Sequence, residues 1–123
     1  MAEGIALIDY GAGNLQSVRN ALKAAGAADI AVTADPHIVA RAERIVLPGV
    51  GAFDWAMSRL NASGMRDTLD ELVQVQGKPV LGICVGMQMM ARGSDEGREP
   101  GLGWFDARVR IFDDAKFVGR THL

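Results

Sequence analysis

Cys84 is the single cysteine in the chain, and glycines stand two positions to either side of it, at Gly82 and Gly86. That is the nucleophile-elbow spacing, with cysteine in the place of serine. The reason for the spacing is steric. A nucleophile at the tip of a tight strand-to-helix turn sits in a strained backbone conformation, and side chains at the flanking positions would collide. The segment Pro79–Gln88 reads accordingly: a short buried strand, a sharp turn at the thiol, then the start of a helix. Free N–H groups at that helix start point toward the sulfur, and the N–H of Val85 can donate to a developing oxyanion. Taken alone, an unpaired cysteine is ordinarily a buried structural residue. The two glycines and the strand-turn-helix context reverse that expectation.

A second stretch, Pro48-Gly49-Val50-Gly51, places two glycines around one residue directly after an apolar run. Glycine lets the backbone swing its N–H groups toward a bound carbonyl. The functional reading is a second oxyanion donor and a pocket wall; the plain reading, an ordinary strand-to-helix turn, weighs about the same. Gln88 lies one helical turn beyond Cys84, so its amide can face the same pocket; without other information it reads as a solvated helix residue. Gly11-Ala12-Gly13 invites a dinucleotide-binding reading, but the third glycine of that fingerprint would fall at Gln16, and no phosphate-loop lysine motif occurs. Asn14 reads as a helix cap. Neither His37, in the first turn of a polar helix, nor His122, beside the last residue, is an evident base for Cys84. Acyl transfer needs an acid for the leaving amine. The residues supply a nucleophile and oxyanion donors, and no convincing acid.

These residues need elements to hold them. Gly4–Asp9, Asp29–Thr33, Arg44–Leu47 and the run from Pro79 read as strands, the first of them buried on both faces. Between them, Leu15, Val18, Leu22 and Ala25 recur at helical spacing, and Asp35-Pro36 starts a short helix running to about Ala42. Phe53, Met57 and Leu60 share a third helix face, and Met65, Leu69, Leu72 and Val73 carry a further helix to Gln76. After the elbow, Met87, Met90 and Ala91 give one apolar face. Arg92–Gly101 reads as a surface loop and Gly103–Phe112 as another strand; the tail from Asp113 has no clear period. Strands alternating with helices predict an α/β domain with a flavodoxin-like, doubly wound, mostly parallel sheet. The first strand is expected beside the third, and the third beside the fourth. Ligands in such sheets bind outside the carboxyl ends of the strands. Asp9–Asn14, Pro48–Gly51 and Gly82–Gln88 all fall there, which is the strongest argument for one active site.

With 123 residues, 49% hydrophobic and 23% charged, the chain is expected to form a single globular domain. A net charge of −2 makes no case for nucleic acid or an anionic membrane. One cysteine excludes an internal disulfide and a multi-cysteine zinc site, so a reducing cytoplasm is the expected setting. No signal-peptide pattern and no apolar run of membrane-spanning length occurs.

Three segments in order, Asp9-Tyr10-Gly11-Ala12-Gly13-Asn14-Leu15, Leu47–Gly51 and Pro79–Gln88, together with Gly101-Leu102-Gly103-Trp104, closely resemble the glutaminase subunits of imidazole glycerol phosphate synthase. Those are class I glutamine amidotransferases of histidine biosynthesis. The resemblance runs from the first strand to about Phe112. It implies Cys84 as the nucleophile that attacks the side-chain amide of glutamine, and the N–H groups of Val85 and Val50 as the oxyanion hole. The Val50 donor would come into place by a peptide reorientation driven by the partner. Gly49 and Gly51 match the pocket wall, Gln88 a substrate-binding side chain, and Asn14 a loop near the partner. That partner is a barrel-fold cyclase, which would take up the ammonia in a heterodimer; no cofactor and no metal are implied. The family's histidine-proline-glutamate motif, its base and orienting acid, is not in this sequence, since His122 is followed by Leu123. The histidine-methionine-glycine-tryptophan-asparagine segment is also missing. Residues 1–123 are therefore expected to be the N-terminal part of such a domain, inactive alone, with an incomplete sheet that presents an apolar face or edge. The reading from another class is a non-catalytic flavodoxin-like binding or thiol-sensing domain, with Cys84 as an activated thiol.

Overall fold

The computed structural model describes residues 3–111. Four strands, β1 (Glu3–Ile8), β2 (Ile30–Thr33), β3 (Ala42–Leu47) and β4 (Val80–Gly82), pair in the order β2-β1-β3-β4. Every pairing is parallel, with Leu7 opposite both Val32 and Val46, and Leu47 opposite Gly82. The predicted neighbours, β1 with β3 and β3 with β4, are met. Strand order reverses between β1 and β3, so the loops after these two strands open a crevice at the carboxyl edge of the sheet.

Parallel pairing requires a crossover after each strand, and the helices supply them. These are α1 (Leu15–Ala24), α2 (Pro36–Arg41), α3 (Phe53–Ala62), α4 (Arg66–Asp70) and α5 (Val85–Met89). Asn14 caps α1 by accepting the Ser17 N–H at 3.2 Å, and Asp35 caps α2 through the His37 N–H at 2.9 Å. Residues of alternate strand positions go to opposite faces. Ala6, Ile8, Ile45 and Leu47 form one core with Phe53, Met57, Leu60, Leu69 and Met89 from α3, α4 and α5. On the other face the register aligns Val32, Leu7, Val46 and Leu81 in a row. Leu7 and Val46 are buried, whereas Val32 and Leu81 are exposed. A groove of about 180 Å³ runs there between Leu22 of α1 and Leu81. At the amino edge, Lys78 Nζ donates to the carbonyls of Ala40 and Ala42, at 2.6 and 2.5 Å, tying the end of α2 to the start of β4.

Four local expectations are corrected. The helix from Met65 does not run on to Gln76 as an α-helix: α4 passes into a π-helical turn over Glu71–Val75, closed by the Gln76 N–H on the Glu71 carbonyl. The apolar positions 65, 69 and 72 are common to both helix types, so spacing alone does not separate them. Second, Met87 is exposed rather than part of the buried face, because α5 ends at Met89 and the core is reached by Met89, Met90 and Ala91. Third, Arg92–Gly101 is not simply a surface loop: Gly93 and Ser94 are buried and form β5 (Gly93–Ser94), parallel to β6 (Arg108–Val109). Fourth, β6 is the only strand between Gly103 and Ile111; Phe112 lies outside the described residues. Residues 102–104 do not pair as a strand because their N–H groups cap the end of α5. Leu102 donates to Met89, Gly103 to Ala91 and Trp104 to Met90, at 2.7, 3.0 and 2.8 Å. Those carbonyls at the end of α5 would otherwise lack partners. Trp104 Nε1 then donates to Asp70 Oδ1 at 2.7 Å, pinning the segment to α4.

Candidate active site

β4 is short, but the Ile83 N–H still bonds the Leu47 carbonyl at 3.0 Å, so the chain reaches Cys84 fully guided by β3. There it turns. Cys84 has φ 55° and ψ −125°, and among the described residues it is the one non-glycine residue with positive φ. A side chain in that region is strained, and its thiol is exposed. The Cys84 carbonyl accepts the N–H groups of Met87 and Gln88, which starts α5.

The two glycines are required by close approach. A Cβ on Gly82 would lie 2.5 Å from the Met87 Cα, and one on Gly86 would overlap the Leu47 carbonyl oxygen. The helix therefore folds back directly onto the strand beneath it. The collision expected from spacing is met in both positions.

The turn after β3 abuts this elbow. Gly49 is buried, and its carbonyl accepts the Val85 N–H at 3.2 Å. A Cβ on Gly49 would stand 2.7 Å from the Gly86 nitrogen. Val50 is 47% exposed, and Gly51 has φ 88° with the Trp55 ring 3.9 Å from where a Cβ would be. The loop after β1 closes the third side. A Cβ on Gly13 would meet Pro48 at 3.0 Å, and the Tyr10 hydroxyl donates to the Pro48 carbonyl. The three predicted stretches thus meet at the carboxyl edge of β1, β3 and β4. Chemically, the site offers an exposed thiol on a strained turn. The nearest N–H suited to an oxyanion, that of Val85, is here engaged by a backbone carbonyl.

The remaining predicted residues are more dispersed. Gln88 is half-buried and lines a groove of about 300 Å³ with Met87, Phe105 and Arg108; Cys84 is not among its lining residues. Asn14 is the α1 cap described above. His37 is exposed on α2, and among the described residues no hydrogen bond joins it to Cys84; His122 lies outside the described residues.

Two residues that sequence reasoning passed over help build the site. In the sequence Tyr10 stands out only as part of a motif, because its partner is 38 positions away. Asp54, in the first turn of α3, accepts the N–H groups of Arg98, at 2.9 and 3.0 Å to its two oxygens, and of Glu99 at 2.9 Å. It holds the loop after β5 against the start of the helix that follows Gly51. In sequence it looks like any acidic residue at a helix start. Those backbone N–H groups, Arg98 first, hold its carboxyl below the usual carboxylate range. Because the folded value is lowered, the anchoring is fully present above the ordinary carboxylate pKa and is lost as pH falls through the lowered value. The protection of the Arg98 and Glu99 amides relative to their intrinsic exchange at each pH should therefore fall on acidification, and Asp54→Asn should show lowered protection at neutral pH already. Equal protection in wild type and variant would refute the anchor.

The profile of the glutamine amidotransferase class-I family matches residues 6–98. The chain belongs to that family. Its similarity to the imidazole glycerol phosphate synthase subunit HisH of Bdellovibrio bacteriovorus is 57% identity over 109 residues, 88% of this chain and 52% of the relative. To HisH of Gloeobacter violaceus it is 49% identical, over 88% of this chain and 47% of the relative. To HisH 2 of Pseudomonas aeruginosa the identity is 51%, over 91% and 56%. The chain spans about half the length of these curated relatives. For a class-I amidotransferase domain, the flavodoxin-like α/β fold with its parallel sheet is as expected. No helix among the described residues is long and apolar enough to cross a membrane.

Proposed function

We propose that the protein carrying this chain is the glutaminase subunit of an imidazole glycerol phosphate synthase, working in the cytoplasm as a heterodimer with a barrel-fold cyclase. Residues 1–123 belong to one amidotransferase domain. Cys84 Sγ attacks the side-chain amide carbon of glutamine, the C–N bond breaks, and ammonia leaves with a proton from a general acid. Water then cleaves the thioester to glutamate and regenerates the thiol. The cyclase uses the ammonia to form imidazole glycerol phosphate and an aminoimidazole carboxamide ribotide. The observation that carries the reading is the positive φ of Cys84 on a turn abutting Pro48–Val50.

Val85 and Val50 supply the oxyanion hole in this proposal. The Gly49 carbonyl occupies the Val85 N–H here, so a tetrahedral oxyanion must displace it. Turning the Gly49–Val50 peptide would do both things at once: withdraw the carbonyl and bring the Val50 N–H forward. Glycine at 49 permits the turn. Gly49 and Gly51 then form the pocket wall, Gln88 holds the substrate, and Asn14 lies toward the cyclase.

An electrophilic glutamine analogue tests the reading. It should label Cys84 selectively, and free glutamine should block the labelling. Labelling indifferent to glutamine would favour a thiol-sensing domain and refute the amidotransferase pocket.

A further inference from the structure

We propose that Tyr10 is a positioning residue for the oxyanion donor: its hydroxyl pins the Pro48–Gly49 peptide, so that the next peptide, Gly49–Val50, is the one that turns. The proposal rests on the amidotransferase reading above and deepens it. Tyr10 is 4% exposed. Its hydroxyl donates to the Pro48 carbonyl at 2.5 Å and lies 3.4 Å from the Met89 sulfur. One side chain from the loop after β1 therefore touches both the turn after β3 and the helix that begins at Cys84. A Cβ on Gly49 would come 2.8 Å from the same hydroxyl. Burial pushes the phenol well above its ordinary range, so it keeps its proton and stays a donor wherever thiol chemistry runs.

Each peptide unit is a rigid plane, and the backbone moves only about the bonds between planes. Holding the Pro48 carbonyl fixes one plane. Rotation is then confined to the ψ of Gly49 and the φ of Val50, and the Val50 N–H has a defined place to arrive. Without the hydroxyl, both planes can rotate and the donor is spread over several positions. A misplacement of about 1 Å can cost up to about a hundredfold in rate. The competing account is that a buried phenol merely needed some acceptor. In that case its loss would lower stability and leave the site's geometry alone.

The test is Tyr10→Phe in the whole protein carrying this chain, with Met89→Leu as a packing control. Expected is a fall in kcat for glutamine of about tenfold with KM within about twofold, and no comparable fall for Met89→Leu. In the same Phe variant, amide exchange at Val85 should quicken at least about fivefold while Ile45 and Val46 in β3 keep their protection. A kcat and a Val85 exchange both unchanged, with only the melting temperature lowered, would overturn the proposal. So would an equal kcat loss in Met89→Leu. If the wild type shows no Cys84-dependent glutamine hydrolysis, the functional reading fails, and the exchange measurement still decides the role of Tyr10. Selective exposure of Val85 supports the pin, and unchanged exchange removes it.

Discussion

Cys84→Ala should lower glutamine hydrolysis by the whole protein by about four to six orders of magnitude, the range seen when a covalent nucleophile is removed. The fold should survive. The thiol is exposed and caps no backbone group, so its removal empties no core space. Substitutions of that kind usually change stability by less than about 0.5 kcal/mol. Alanine at φ 55° is strained as cysteine is, so the turn keeps its shape. The measurement is steady-state ammonia release by wild type and variant at saturating glutamine, with denaturation curves for both. A variant within tenfold of wild type would show that the reaction does not pass through this sulfur. The 123-residue chain alone, which contains no histidine-proline-glutamate motif, should turn over glutamine negligibly with either residue at position 84.

The second large effect is expected at Gly86. The methyl group of Gly86→Ala would overlap the Leu47 carbonyl oxygen and press on Pro48, which is backbone and cannot swing aside. Overpacking of this kind costs about 1–3 kcal/mol, and more where only backbone can yield. The same shift would carry α5 away from β3 and break the Val85 contact with Gly49. Loss of stability and loss of Cys84 labelling by the glutamine analogue should therefore appear together. Gly82→Ala should act the same way through Met87 and Met90. A Gly86→Ala protein as stable and as readily labelled as wild type would mean that the elbow is looser than its geometry indicates.

Much of this was legible in the chain itself. The four strands of the main sheet and the caps at Asn14 and Asp35 followed from apolar period and turn chemistry, because these are local patterns, and the β1–β3 and β3–β4 neighbours from the usual doubly wound order. The elbow was legible for the same reason: Gly82, Cys84 and Gly86 are contiguous, and the steric demand is set by immediate neighbours. The segment beyond α5 was misread. Gly103–Phe112 alternates weakly like a strand, yet the N–H groups of Gly103 and Trp104 go to the carbonyls of Ala91 and Met90, more than ten positions back. Period cannot report where a hydrogen bond goes. The π-helical turn over Glu71–Val75 was hidden too, since its apolar residues also suit an α-helix.

By itself the chain determined the chemistry on offer: one thiol, its flanking glycines, and strand ends that a parallel α/β sheet must gather along one edge. Tertiary structure decided what those groups touch. Pairing of β3 between β1 and β4 brings the Gly49 carbonyl onto the Val85 N–H and the Tyr10 hydroxyl onto Pro48, and α3 holds the distant Arg98 and Glu99 through Asp54. Such contacts join residues about 36 to 45 positions apart. They depend on sheet register and helix packing, which no window of neighbouring residues encodes.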